Sequence, residues 1–184
     1  MSEAKAFYKL AMTEINRYVE TIDYEQLQKA AELILTSEGE GGRVHVTGIG
    51  KPSYVAGYTA SLLSSTGTKA YFLDGTEAVH GSSGQVAPGD VVIAISNSGE
   101  TVELRASVET LLKNGAKLIA VTGNKESWLA ASSDVFLHAG VSQEGDSMNK
   151  PPRASIIAEI LILQGLSVIL QETKSLNPEL YVKW

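Results

Sequence analysis

A chain of 184 residues, 43% hydrophobic and 20% charged, suits one compact domain with a core of its own. A net charge of −6 without a basic stripe argues against a nucleic-acid footprint. The absence of cysteine excludes disulfides and thiolate metal sites. The opening MSEAKAFYKLAMTE is mixed and charged and lacks the apolar centre of a secretory leader, so the expectation is a cytoplasmic protein.

Residues 3–20 place Phe7, Leu10, Ala11, Ile15 and Tyr18 at helical spacing. A second helix is predicted from Asp23, with Gln26 as a capping-box partner three residues on. It carries Leu27, Ala30, Ala31, Leu33 and Ile34 on one side and stops in SEGEGG at 37–42. Residues 1–38 are therefore expected to be two helices packing on the rest of the chain or on a partner subunit, and residues 39–184 the main domain.

From Arg43 the pattern changes. Short runs rich in β-branched or aromatic residues predict strands at 43–47, 69–73, 91–95, 117–121 and 134–138. Helical patterns fall between them at 53–65, 100–114 and 127–131, with turn signals at Gly67, Pro88-Gly89-Asp90, Asn114-Gly115 and Gly123-Asn124. Regular alternation of this kind implies an α/β fold: a three-layer αβα sandwich around a five-stranded parallel sheet. After Gly140 an irregular loop, VSQEGDSMNKPPR, leads into a long helix at 152–173. That helix is apolar nearly all round, so its outer face wants a partner, and a second subunit is the simplest supplier. Its most apolar part, 154–170, is broken by Glu159 and Gln164 and reads as too short for a membrane span.

Two turns invite chemistry. In VVIAISNSGETVEL, residues 91–104, an apolar strand breaks into Ser96-Asn97-Ser98-Gly99-Glu100-Thr101 and resumes as a helix. Free backbone N–H groups at the helix start, with the hydroxyls of Ser96, Ser98 and Thr101, make an anion site that needs no arginine. The same residues are also good helix caps. The turn Thr47-Gly48-Ile49-Gly50-Lys51-Pro52-Ser53 follows the first strand. It fits neither nucleotide motif, since Ser53 stands where a dinucleotide fingerprint needs its third glycine and His45 where a P-loop needs its first. What remains is a tight strand-to-helix turn that puts Lys51 on the edge where open α/β sheets bind ligands.

Other polar residues stay open on spacing alone. Glu103 projects one helical turn beyond Glu100 and is either a surface glutamate or a general base. His80 follows Glu77 by three residues, and two such groups do not make a metal site. His45 and His138 fall inside strands and read as structural. Glu144 and Asp146 lie in a long loop beside the binding edge, where either solvation or function would place them.

Together these residues resemble the sugar isomerase (SIS) domain, a phosphosugar-binding α/β module, and within it the arabinose 5-phosphate isomerase branch. The resemblance is carried by VTGIGK at 46–51, SSTGT at 64–68, EAVHG at 77–81, PGDVVIAISNSGET at 88–101 and Glu144, and spans roughly 40–175. It implies phosphate binding by Ser53, Ser96, Ser98 and Thr101, with Gly48, Gly50, Asn97 and Gly99 in the same turns. Lys51, Glu103 and Glu144 match the lysine and two glutamates assigned to that branch's active site. His80 matches a histidine that can reach a neighbouring subunit's site. The implied reaction interconverts an aldose phosphate and a ketose phosphate through a cis-enediol, without metal or other cofactor, in a homodimer or homotetramer that binds no nucleic acid or membrane.

Three departures qualify the match. The branch has a His-Pro-Gly-Gly motif after the last helix, and here that motif would begin just after Tyr181-Val182-Lys183-Trp184. Its hydroxyl-rich segment after the loop is replaced by Lys150-Pro151-Pro152-Arg153-Ala154-Ser155. The regulatory CBS pair of larger members has no counterpart. A hexulose-phosphate or amino-sugar-phosphate isomerase of the same fold therefore remains an alternative, as does a phosphosugar-sensing module without turnover.

Overall fold

The computed structural model describes residues 2–181; Met1 and the chain end at 182–184 lie outside the described residues. Five parallel strands form one sheet: β1 (Val44–Gly48), β2 (Ala70–Phe72), β3 (Val91–Ile95), β4 (Lys117–Thr122) and β5 (Val135–His138), in the order β2-β1-β3-β4-β5. β1 and β3 are buried along their whole length, as expected of a parallel sheet covered on both faces. Side chains alternate between the two layers. Val44, Val46, Val91, Ile93 and Ile95 face one core, and Val92, Ala94, Leu118 and Ala120 face the other.

The first core is roofed by α1 (Glu3–Val19), α2 (Tyr24–Gly39), α3 (Lys51–Ser65) and α7 (Ala154–Thr173). The second is roofed by α4 (Gly75–Ala78), a 3-10 turn at Ser82–Gln85, α5 (Val102–Lys113) and α6 (Trp128–Ala131). A last turn, α8, spans Pro178–Tyr181. The short α4, the 3-10 turn and α8 have too few residues to show a helical period, and no sequence signal announces them. The predicted N-terminal helices are present, and Asp23 caps α2 by accepting from the backbone N–H of Glu25 and Gln26. The buried face of α2, with Ala30, Ala31 and Ile34, joins the same core as the sheet. Tyr18 of α1 donates its hydroxyl to the carbonyl of His138 at 3.0 Å.

Several boundaries move for local reasons. α3 begins at Lys51, two residues early, because Gly50 adopts φ +66° and turns the chain straight into the helix. α7 begins at Ala154, not at 152, because Arg153 is the non-helical residue before it (φ −135°, ψ −71°), its N–H held by the Glu144 carboxylate. The 20-residue α7 is long and apolar enough, by length and composition, to cross a membrane, which corrects the expectation that this segment is too short. Its apolarity has another use: Ala158, Ile162, Leu163, Leu166 and Leu170 are buried against α2, α3 and the sheet.

Candidate active site

The strand order sets the site. The chain leaves β1 toward β2 on one side and leaves β3 toward β4 on the other, so β1 and β3 flank a topological switch point. The register pairs Gly48 with Ile95, which puts the two glycine- and hydroxyl-rich turns side by side at the carboxyl edge. A Cβ on Gly48 would lie 2.9 Å from the Pro52 carbonyl carbon and 3.1 Å from the Ile95 oxygen, so only glycine lets the start of α3 sit this close.

The helices that leave this point share an unusual property. α1, α2, α4 and α6 are capped by the side chains of Ser2, Asp23, Asp74 and Ser127. α3 and α5 have no side-chain cap. At α5 the first backbone N–H groups are left for solvent or a ligand; at α3 Pro52 has no N–H and the Ser53 N–H donates to the Gly50 carbonyl at 3.1 Å, which leaves that of Lys51, and the helix dipoles make both ends attractive to an anion.

Within the second turn the hydroxyls divide their labour. Ser96 is buried; its Oγ accepts from the Gly99 N–H at 3.1 Å and lies 3.0 Å from Thr101 Oγ1, so it shapes the turn from inside. Ser98 is exposed and accepts from the Glu100 N–H at 3.2 Å, which leaves its own proton to donate. The Asn97 carbonyl accepts from Gly123 N–H and Thr122 Oγ1, and its side chain is exposed. Glu100 has a role the sequence hid. Its Oε1 accepts from Trp128 N–H at 2.6 Å, tying the turn to α6 and delaying the start of α5 to Val102. In the first turn, Ser53 donates its hydroxyl to the Gly50 carbonyl at 2.6 Å.

Lys51 is exposed in the first turn of α3. It lines a shallow groove with Tyr54, Pro152 and Ile156, so the starts of α3 and α7 share a rim. Glu144 is buried at that second start. Its Oε2 accepts from Arg153 N–H at 2.6 Å and Ser155 N–H at 3.1 Å, supplying the cap that α7 lacks from its own side chains. Arg153, whose charge stood out in the sequence, pairs with Asp146 at 3.0 Å. Glu103 stands exposed in the first turn of α5, beside Thr101. His80 is exposed on the turn after α4, its backbone N–H bonded to the Glu77 carbonyl. α4 itself sits over the first turn, since Gly75 packs against Ile49, Thr47 and the Gly48 carbonyl. A cavity of about 460 Å³ lies apart from these donors, between the start of α1 and the loop at 145–148. Among the described residues no group of three or more His, Asp or Glu could hold a metal ion.

Nothing in the chain's pattern singles out Glu14. From α1 its Oε2 accepts from Ser142 N–H at 2.8 Å, Ser142 Oγ at 2.7 Å and Gln143 N–H at 3.3 Å, clamping the loop that carries Glu144. The Ser142 hydroxyl bond, helped by the two backbone bonds, holds the Glu14 carboxyl below the usual range against the opposing effect of burial. A depressed carboxyl stabilises the fold above its unfolded pKa, and that stability disappears as pH falls through the folded value. Glu14→Gln is expected to cost about 1–3 kcal/mol in urea unfolding at pH 7. The gap to the parent should close in acid, below the folded value; a gap that persists there would assign the effect to packing.

Comparison with known proteins places the chain in a family. The SIS domain family model matches residues 40–163. Arabinose 5-phosphate isomerase KdsD of Pseudomonas aeruginosa is 38% identical over 151 residues, covering 82% of this chain and 45% of that protein. KdsD of Francisella tularensis is 32% identical over 177 residues, covering 96% of this chain and 54% of that protein. The chain thus spans about half the length of these curated relatives. The structure of E. coli CFT073 c3406 in complex with arabinose 5-phosphate superposes with a TM-score of 0.86 at 34% identity, covering 97% of this chain and 93% of that one. The parallel sheet order and the match over residues 40–163 lead to one assignment: the chain belongs to the SIS domain family.

Proposed function

We propose that this protein is an aldose–ketose isomerase acting on a sugar phosphate of the arabinose 5-phosphate type. The observation that carries the reading is the pair of uncapped helix starts, α3 and α5, meeting at the β1/β3 switch point. A phosphate ester takes the free N–H groups at the start of α5 and that of Lys51 at the start of α3, with Ser98, Thr101 and Asn97 as added donors. The KdsD relatives and the sugar-phosphate complex of a structural neighbour support the same substrate class.

In this reading the sugar carbons extend from the phosphate toward the α7 start. A base removes the proton from the carbon beside the carbonyl while the carbonyl oxygen is protonated. The cis-enediol is then reprotonated on the neighbouring carbon while the hydroxyl on the first carbon gives up its proton and becomes the new carbonyl, so no atom is gained or lost. Glu144 has Oε1 available for the proton transfer, its Oε2 being fixed by the α7 backbone, and Glu103 serves the oxygen protons from the other rim. Lys51 is the cation for the developing oxyanion. His80 completes the site of a neighbouring copy. The route as written calls on no metal or cofactor and belongs in the cytoplasm.

The assembly is proposed as a homodimer or homotetramer joined through α7 and α3, where Ile157, Val168, Tyr54 and Tyr58 remain exposed. The test is turnover of ribulose 5-phosphate, followed by product analysis, on protein shown by sedimentation velocity to be associated at micromolar concentration. Formation of the aldose phosphate supports the reading. Thermal stabilisation by sugar phosphates with no product formed would reject the catalytic half and keep the binding half. Lone subunits would reject the assembly.

A further inference from the structure

A deeply buried acid lies behind Glu144. Glu159, in the second turn of α7, is fully buried, and neither of its carboxyl oxygens has a hydrogen-bond partner among the described residues. Ser155, one turn earlier on the same face of the helix, is also fully buried with an unpartnered hydroxyl. The backbone N–H of that same Ser155 holds Glu144 Oε2. Two carboxyl groups therefore lie near the start of α7 in unequal surroundings: Glu144 accepts two backbone bonds and Glu159, among the described residues, accepts none.

We infer that Glu159 is a positioning residue that stores a proton beneath Glu144 and keeps Glu144 in its catalytic place, so that losing this proton sets the alkaline limit of the reaction. The inference rests on the proposed role of Glu144 as base. An isolated carboxylate in an apolar interior is too costly to persist, so the unpaired member of the pair retains the proton. Burial, and then the charge of Glu144, push the Glu159 carboxyl up to about 8. Burial and the Glu159 charge likewise push the Tyr18 phenol up from the α1 side.

The other described surroundings offer no compensating cation. The buried faces of α2 and α3 contribute Leu27, Ala30, Ile34, Val55, Ala56 and Thr59, none of them titratable. Glu14 and Arg17 on α1 are paired with each other, Arg153 is engaged with Asp146, and His138 meets Tyr18 through its carbonyl. Once Glu159 ionises, a second negative charge sits behind Glu144. Repulsion between the two like charges then expels Glu144 from the α7 cap, which removes the base.

The fold must carry the same signature. A carboxyl raised from 4.5 to about 8 costs nothing below 4.5, where folded and unfolded chains both hold the proton. Between those values the unfolded chain releases it and the folded chain does not, so stability falls as pH rises; above about 8 the cost is constant.

The test compares the parent with Glu159→Gln, which keeps the shape and a neutral donor. The parent is expected to show one carboxyl carbon titrating near pH 8 by ¹³C NMR and a Tm that declines from pH 5 to 8. It should also show a one-proton alkaline limb in kcat. In Glu159→Gln the resonance and the decline vanish and the limb moves up by at least one pH unit. In Glu144→Gln, inactive or not, the Glu159 resonance moves to lower pH, because the neighbouring charge is gone. An NMR titration at ordinary carboxylate pH, or one indifferent to Glu144→Gln, overturns the inference whatever the activity. An unchanged alkaline limb with the NMR shifts present overturns its catalytic half. If the parent shows no isomerase turnover, the failure lies with the proposed function, and the NMR and Tm arms still decide whether the proton is stored.

Discussion

Glu144→Gln is expected to lower kcat for isomerisation by about 100- to 10,000-fold while leaving the fold in place. The glutamine side-chain oxygen can still accept from the Arg153 and Ser155 N–H groups, so the start of α7 keeps its cap. What the amide cannot do is take a proton from carbon. Exchanging an ionised acceptor for a neutral one weakens the two bonds, for a stability loss of about 1 kcal/mol. KM should change little, since the proposed phosphate site lies one rim away at the starts of α3 and α5. Steady-state kinetics with urea unfolding separates the two roles. Turnover unchanged in a folded variant would leave Glu144 as a helix cap and nothing more.

Gly99→Ala is expected to lower stability by about 2–5 kcal/mol and to weaken phosphosugar binding at the same time. Gly99 sits at φ +67°, in the left-handed region, where an L side chain costs about 1–2 kcal/mol. An added Cβ would also run into Ser127 Oγ and come within 2.9 Å of Thr122 Oγ1. Neither neighbour is free to yield. Ser127 Oγ caps α6 through the Ala130 N–H and donates to the Asn124 carbonyl at 2.7 Å. Thr122 Oγ1 donates to the Asn97 carbonyl at 3.1 Å. Overpacking of this kind adds about 1–3 kcal/mol, and together the terms correspond to a Tm lower by roughly 5–15 °C. Because Asn97, Ser98 and Gly99 share one turn, the strain reaches the proposed phosphate donors, and calorimetric affinity for a sugar phosphate should fall with Tm. A Tm within about 2 °C of the parent would show that the turn can open without loss.

Much of this architecture is local and could be read from the chain. The run Val91–Ile95 is a strand at its predicted limits, because five apolar residues bounded by Asp90 and Ser96 have only a buried strand to form. The tight turns at Gly48–Gly50 and Ser96–Gly99 announce themselves by composition, since glycine and hydroxyl residues are what such backbones require. Where prediction slipped, a distant partner was responsible. Glu100 reads as the first helical residue after the turn, yet its carboxylate serves Trp128, 28 positions on. Glu14 reads as one more polar residue on an amphipathic helix, yet besides its local pair with Arg17 it takes three bonds from residues 142 and 143. His45, expected to be structural, pairs with Asp90 at 3.1 Å with both side chains buried.

The amino-acid pattern by itself determined the αβα layering, the parallel sheet and the two anion-type turns, because period and turn chemistry act over a few residues. Tertiary structure decided the strand order, which brings β1 and β3 together although β2 lies between them in the chain. It also decided the environment of Glu159, which in sequence only interrupts an apolar run and in the fold becomes a sealed, unpaired acid. Adjacency and burial are set by how helices cover both faces of a twisted sheet, and no short stretch of sequence contains that information.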